Sequence, residues 1–450
     1  MKMYIKNIKE ILFQDPNHLK ETGLNIIEHA LIAVNPYIAT KTLIRLTGEI
    51  LSIGSLQFDL SKKKNIYVLG GGKAVYPVAK ALEEILQEKI TEGLIIVKEG
   101  HQGILKKIKI RKAAHPLPDQ AGFYAAKEIK TIAERAQKED LVIWINTGGI
   151  SALAPLPVSS INLKEKKMIH EMLLSAGANI KEINTVRSHL SDIKGGKLAL
   201  SIFPAEIINL IVSDNPGDPI NVGPTGLDQT TFSEAVAILK RYDLWKIFPE
   251  SAKKYLLTAT PDLETPKNFG RFQSFVHSFI LVTNRVACQR AIDEAKVLGF
   301  HSIFLSSCIE GESREVAKVH TAIGKEIISS GNPIARPACV VSGGETVVTV
   351  KGEGLGGSNL EFALAAAIEI EGMDNIVIIS LGTDGTDGPT HAAGAIADGN
   401  TVRKAKKLGL DPAEFLKRND SYHFFKNLNE LIITGHTDTN VMDLRLVLIK

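Results

Sequence analysis

A chain of 450 residues, 44% hydrophobic and 23% charged, has the make-up of a soluble globular protein with more core than one domain holds. The formal net charge of +3, with no basic block interleaved with aromatics, gives nucleic-acid binding no support. No apolar run approaches the roughly 18 residues of a membrane span, and Cys288, Cys308 and Cys339 lack CxxC spacing, which argues against a zinc or disulfide framework and fits a reducing cytoplasm.

In chain order, the start MKMYIKNIKEILFQD is amphipathic and acid-bearing, unlike a signal peptide. Residues 1 to about 58 read as mostly helical, with Leu, Ile and Ala at helical spacing. The apolar run 65–69 then enters Gly70-Gly71-Gly72-Lys73 and a helical stretch. Run 141–145 enters NTGGISA, and run 207–212 enters Ser213-Asp214-Asn215-Pro216-Gly217-Asp218, with helical stretches at 124–138 and 164–180 between them. Strands alternating with helices predict a three-layer, Rossmann-like α/β domain on a parallel sheet, over residues 1–240 with its N-terminal helices. Residues 241–275 read as a helix and a Pro-bearing connector. Residues 276–450 read as a smaller α/β domain that starts with SFILVTN. There, run 338–341 enters Ser342-Gly343-Gly344-Glu345, and run 375–380 enters GTDGTDGPTHAAGAIADG, residues 382–399.

Five buried strands ending in glycine-rich polar loops point to one composite ligand site, since open α/β sheets bind ligands outside their strand ends. Glycines there let backbone N–H groups approach an anion. Lys73, opening a helix, suits charge developing on a transferring phosphoryl group. The loop is not a Walker A motif, because Ala74 stands where Ser or Thr would bind Mg²⁺. Asp384 and Asp387, with Asp214 and Asp218, can hold Mg²⁺ or take a proton, or can simply make Asx turns. Arg187 and Lys194 offer cations for a carboxylate or phosphate. A formal GxGxxG at 352–357 follows an expected strand 347–350, but its acid is misplaced for a dinucleotide site. His115, His189 and His436 lack metal-ligand spacing, and Ser151 lacks the G-x-S-x-G elbow.

The segments GGGKA, HPLPDQAG, GGISALAPLP, INTVRSHLSDIKGGKLA, SDNPGDP, GPTGLDQTTF, ETPK, SGGETVVTVKGEGLGG, GTDGTDGPTHAAGAI and TNVMDLRLVLI occur in order along nearly the whole chain. Together they resemble the glycerate 2-kinase family, whose C-terminal part, here about 336–448, is called the MOFRL domain. The resemblance implies two α/β domains with an interdomain cleft, and transfer of the ATP γ-phosphate to the 2-hydroxyl of D-glycerate with Mg²⁺. It implies that Lys73 matters for catalysis; among the acids, Asp387 or Asp214 is expected to orient or deprotonate the hydroxyl, and Asp384 with Glu345 to help hold Mg²⁺. The expected substrate- and phosphate-binding residues are Gly71, Gly72, Gly148, Gly149, Ser151, Arg187, Lys194, Gly356, Gly357, Ser358, Asn359 and Asn440. The chain departs from the family pattern at Ile150, Leu355, Ser358, Leu360, His436 and Asp438, and Ser358 stands where the family carries an active-site arginine. Those departures keep open a paralogue acting on another small hydroxy or sugar acid, an NAD(P)-dependent hydroxypyruvate reductase, and a non-catalytic metabolite-binding protein. A homodimer is also left open.

Overall fold

The computed structural model describes residues 3–14, 18–215, 220, 223–258 and 260–450; Asp218 lies outside the described residues. The chain divides into two compact units, one of Pro36–Ser213 and Asp218–Leu281, the other of Met1–Asn35, Asp214–Gly217 and Val282–Lys450.

The first of these begins with the helix Pro36–Leu43, followed by an antiparallel meander of β1 (Ile44–Thr47), β2 (Ile50–Ile53) and β3 (Leu56–Asp59). This corrects the helical expectation for residues up to 58. Gly48 and Gly54, at φ 58° and 57°, make the two reversals, a conformation that glycine adopts without strain. The main sheet contains β4 (Ile66–Gly71), β5 (Glu92–Lys98), β6 (Ile108–Ala113), β7 (Leu141–Thr147), β8 (Glu206–Val212) and β9 (Val276–Val282). Their order is β6-β5-β4-β7-β8-β9, and the pairings from β6 to β8 are all parallel. Every residue of β4 and β7 is buried, which is why both runs are continuously apolar rather than alternating. The segment SFILVTN, expected to open the C-terminal domain, supplies β9 at the edge of this sheet. The Ile207 amide bonds the Phe275 carbonyl at 2.7 Å, and Asn209 Nδ2 donates to Ser278 Oγ at 3.0 Å.

The other unit is built on β10 (His301–Ile309), β11 (Ala338–Gly344), β12 (Ile376–Gly382), β13 (Gly394–Asp398), β14 (Leu431–Ile432) and β15 (Asp443–Ile449). The order is β10-β11-β15-β12-β13-β14; β10 and β11 pair in parallel and the remaining pairs are antiparallel. The N-terminal helix Leu19–Ala33 belongs to this unit, not to the sheet that follows it in sequence. Leu24, Ile27 and Leu31 share a buried cluster with Ala291, Leu446 and Leu448. Gly23 leaves room for Ile379, whose Cδ1 would be 2.7 Å from a Cβ there, and buried Lys20 pairs with Glu430 at 2.7 Å and Asp398 at 3.0 Å. Amphipathicity revealed the helix but not which sheet it covers. Residues 347–350 form no strand beyond one bridge at Val347, so nothing leads into the GxGxxG as a dinucleotide fingerprint requires. Among the described residues no helix is long and apolar enough to cross a membrane.

Candidate active site

The chain runs outward from β4 through β5 to β6, then restarts on the other side of β4 with β7. The carboxyl ends of β4 and β7 therefore form the switch point where open α/β sheets take their ligands. Lys73 sits there, half-buried. Its amide donates to Gly148 O at 2.8 Å, the Ala74 amide to Thr147 Oγ1 at 3.2 Å, and the Gly72 amide to Ile96 O at 3.1 Å. Gly149 is left-handed at φ 87°, and a Cβ on it would lie 3.1 Å from His115 Cδ2 and 3.3 Å from Lys73 Cγ. Lys73, Gly148, Gly149 and His115 thus meet at the strand ends. No spacing rule singles out His115, which its loop brings to the same glycine as Lys73. A Cβ at Gly71 would overlap Cδ1 of Ile150, so this departure fills the space over β4 and joins the buried core.

Ser151, two residues beyond Gly149, lines a cavity of about 20 Å³ together with Lys166, His170 and Arg187. Lys194 is buried and its Nζ donates to Ser151 Oγ. Burial, with Arg187 beside it, pushes the Lys166 ammonium down to about 7. Burial lowers Arg187 to about 10, and burial plus Arg187, Lys166 and Lys194 lower His170 to about 4. Arg187 lines this cavity, and Lys194 reaches it through Ser151. Lys166 and His170 were missed because one residue every four on a polar helix carries no motif.

The acids gather on the C-terminal sheet. Gly344 and Gly382 are both in register with Asp443, so Glu345 and Asp384 continue just past the ends of β11 and β12, on either side of the start of β15. Glu345 is exposed, Asp384 half-buried, and the Asp384 Oδ1 accepts from the amide and hydroxyl of Thr386 at 3.1 Å. Asp443 is buried against Arg445 at 2.7 Å and Asn359 Nδ2 at 2.7 Å; burial raises its pKa, and Asp384 adds repulsion. Among the described residues no group of three or more His, Cys, Asp or Glu forms a closed metal site. An exposed and a half-buried carboxylate fit a hard cation that keeps most of its water, as Mg²⁺ does, rather than an all-protein cage. Asp214, also exposed, has Oδ2 at 3.4 Å from Nδ2 of buried Asn440.

Asp387 is 3% exposed and sits at the start of the helix Ser358–Glu369. Its Oδ1 accepts from the Asn359 amide at 3.1 Å and Asn359 Nδ2 at 3.2 Å, and its Oδ2 from the Leu360 amide at 2.8 Å. The Ser358 hydroxyl lies 3.5 Å from Oδ1. Burial pushes Asp387 up to about 7 despite those donors. A Cβ on Gly357 would overlap this carboxylate, and Gly356 presses against Ser421 and Gly388. The amides of Gly354 and Leu355 are bound by Arg418 O at 2.9 Å and Asp420 Oδ1 at 3.0 Å, so these two do not face a phosphate. Close backbone packing on residues 418–421 explains this glycine spacing.

The remaining departures form a coherent set. Leu360 is fully buried with Tyr422, Phe424 and Phe425, and Leu355 packs against the same cluster. His436 and Asp438 are exposed on a loop pinned by Thr437 Oγ1 to Thr383 O at 2.5 Å and by Thr439 Oγ1 to Val34 O at 2.7 Å.

Two family models match: a domain of unknown function (DUF4147) over residues 23–257, and the MOFRL family over residues 338–443. The chain is 38% identical to glycerate 2-kinase of Pyrococcus horikoshii over 427 residues, 94% of this chain and 96% of that protein. It is 37% identical to D-glycerate 2-kinase of Thermotoga maritima over 97% of this chain and 99% of the relative. The chain belongs to the glycerate kinase family. A solved glycerate kinase structure from Thermotoga maritima superposes with a TM-score of 0.83 at 37% identity, covering 97% of this chain and all of that one. In this member of the glycerate kinase family, one unit carries the parallel sheet, and the mixed sheet of the other falls largely within the MOFRL match.

Proposed function

We propose that this chain transfers the γ-phosphate of ATP to the 2-hydroxyl of D-glycerate, giving 2-phosphoglycerate and ADP. The hydroxyl oxygen bonds to the γ-phosphorus, the bond to the β,γ-bridging oxygen breaks, and the hydroxyl proton leaves to a carboxylate. The observation that carries this reading is similarity to glycerate 2-kinases over nearly the full length of both chains. Lys73, at the switch point of the parallel sheet, is assigned to charge on the transferring phosphoryl group. Glu345 and Asp384 would hold Mg²⁺, which when bound neutralises phosphate charge. Asp214 is assigned the hydroxyl proton, because it is exposed and oriented by Asn440. Asp387 is assigned a positioning role, because its oxygens already hold the helix Ser358–Glu369. Three free thiols fit a cytoplasmic setting. The test is Lys73→Met: kcat should fall roughly 100- to 1,000-fold, the scale of one lost charge-stabilising donor, with Tm unchanged. Wild-type turnover in that variant would sink the assignment.

A further inference from the structure

The helices Leu163–Ser175 and Ile180–His189 carry acids as well as bases, yet their acids turn elsewhere. Glu165 accepts from the Asn162 amide at 2.9 Å and from Ser251 Oγ at 2.6 Å. Glu182 takes Arg241 Nη1 at 2.6 Å and Tyr242 Oη at 2.7 Å. Glu171 lines a different cavity with Tyr242 and Leu244. Lys166 and His170, one helical turn apart, face Arg187 across a cavity whose lining contains no carboxylate. Among the described residues neither Lys166 nor Arg187 makes an ion pair, and buried His170 Nδ1 has no hydrogen-bond partner. Apolar walls and the neighbouring cations, with Lys194 at Ser151, disfavour the charged forms of Lys166 and His170 until an anion enters.

We propose that Ser151, Lys166, His170, Arg187 and Lys194 form a subsite that grips the carboxylate of the acceptor. The proposal rests on the kinase reading for the identity of that acceptor. The cavity, about 20 Å³, exceeds the roughly 10–15 Å³ that one water needs. Ile161 and Ile169 contribute apolar wall, which suits a small anion on a carbon stem better than a hydrated triphosphate. The planar guanidinium of Arg187 matches a carboxylate in bidentate fashion. Ser151 is two residues from Gly149, where a Cβ would lie 3.3 Å from Lys73 Cγ, so chain connectivity keeps the pocket near the lysine assigned to the phosphoryl group.

The test uses the full chain, Lys166→Met and Arg187→Met. Tm is followed with added D-glycerate, inorganic phosphate or glycerol, and steady-state kinetics are measured alongside. D-glycerate should raise the wild-type Tm, glycerol should not, and both variants should lose the shift. In both variants KM for D-glycerate should rise roughly 10- to 100-fold, the cost of a charge-assisted hydrogen bond, while KM for ATP stays within about twofold. Unliganded Lys166→Met should melt no lower than wild type, since it removes an amine whose charged form burial and Arg187 already disfavour; His170→Gln carries the same test if Arg187→Met does not fold. Unchanged shifts and KM values overturn the proposal. So does protection by phosphate alone, or a rise in KM for ATP instead of glycerate, either of which assigns the pocket to a phosphate. A wild-type protein protected by D-glycerate but consuming no ATP supports the subsite and overturns the kinase reading.

Discussion

Replacing Asp387 by Ala separates a positioning carboxylate from a catalytic base. The substitution leaves the amides of Asn359 and Leu360 without their acceptor, while Asn359 Nδ2 keeps Asp443 at 2.7 Å. Two orphaned buried amides cost about 1–3 kcal/mol each. Part of this is offset by removing a carboxyl that burial pushes up to about 7. The expected net loss is about 2–4 kcal/mol, against about 1–2 for Asp387→Asn, which keeps one acceptor oxygen. Hydrogen exchange along 358–369, read with thermal melting, is the assay: the first turn should lose protection in both variants, more in Ala. Because the native state holds this proton up to about 7 and the carboxyl of the unfolded chain only to 3.8, the native form binds more protons between those values. The Asp387 contribution to stability therefore declines as pH rises through that window, and Asp387→Asn should remove that slope. Unaltered exchange and melting, combined with at least a 100-fold loss of kcat, would refute the positioning role and make Asp387 the base.

Gly71→Ala drives a methyl into Ile150, and should cost about 1–3 kcal/mol in denaturant melts; no change would mean that Ile150 yields freely. Leu360→Gln puts an amide among Tyr422, Phe424 and Phe425 and should cost about 1–3 kcal/mol in the same assay. A neutral result there would show that this cluster accepts a polar residue. Lys166, faced by Arg187, His170 and Lys194, is largely neutral at pH 8, so D-glycerate binding at that pH should draw up to about one proton. Calorimetry in buffers of different ionisation enthalpy measures this uptake, and zero uptake would detach Lys166 from the ligand.

The strand-end loops were legible because each joins a fully buried apolar run to glycines, a pattern that both sheets confirm at β4, β7, β8, β11 and β12. The helical reading failed at β1–β3, where Leu and Ile fit a helical period and only Gly48 and Gly54 announce the turns. Residues 347–350 have strand propensity, but a single bridge replaces the ladder, so packing overrode preference. Docking of Leu19–Ala33 on the C-terminal sheet depends on Gly23 and on Lys20 finding Glu430 far along the chain, which local pattern cannot specify. The acids and Lys73 were visible as residue types. That Asp387 caps a helix, and that Lys166 and His170 point with Arg187 into one cavity, depends on three-dimensional neighbours.

The decisive measurement is ³¹P NMR of the purified protein with Mg²⁺, ATP and D-glycerate, run beside Lys73→Met. Stoichiometric ADP and 2-phosphoglycerate from the wild type, and at least a 100-fold slower reaction from the variant, are the predicted result. ATP left intact, a 3-phosphorylated product, or equal rates in the two proteins would contradict it.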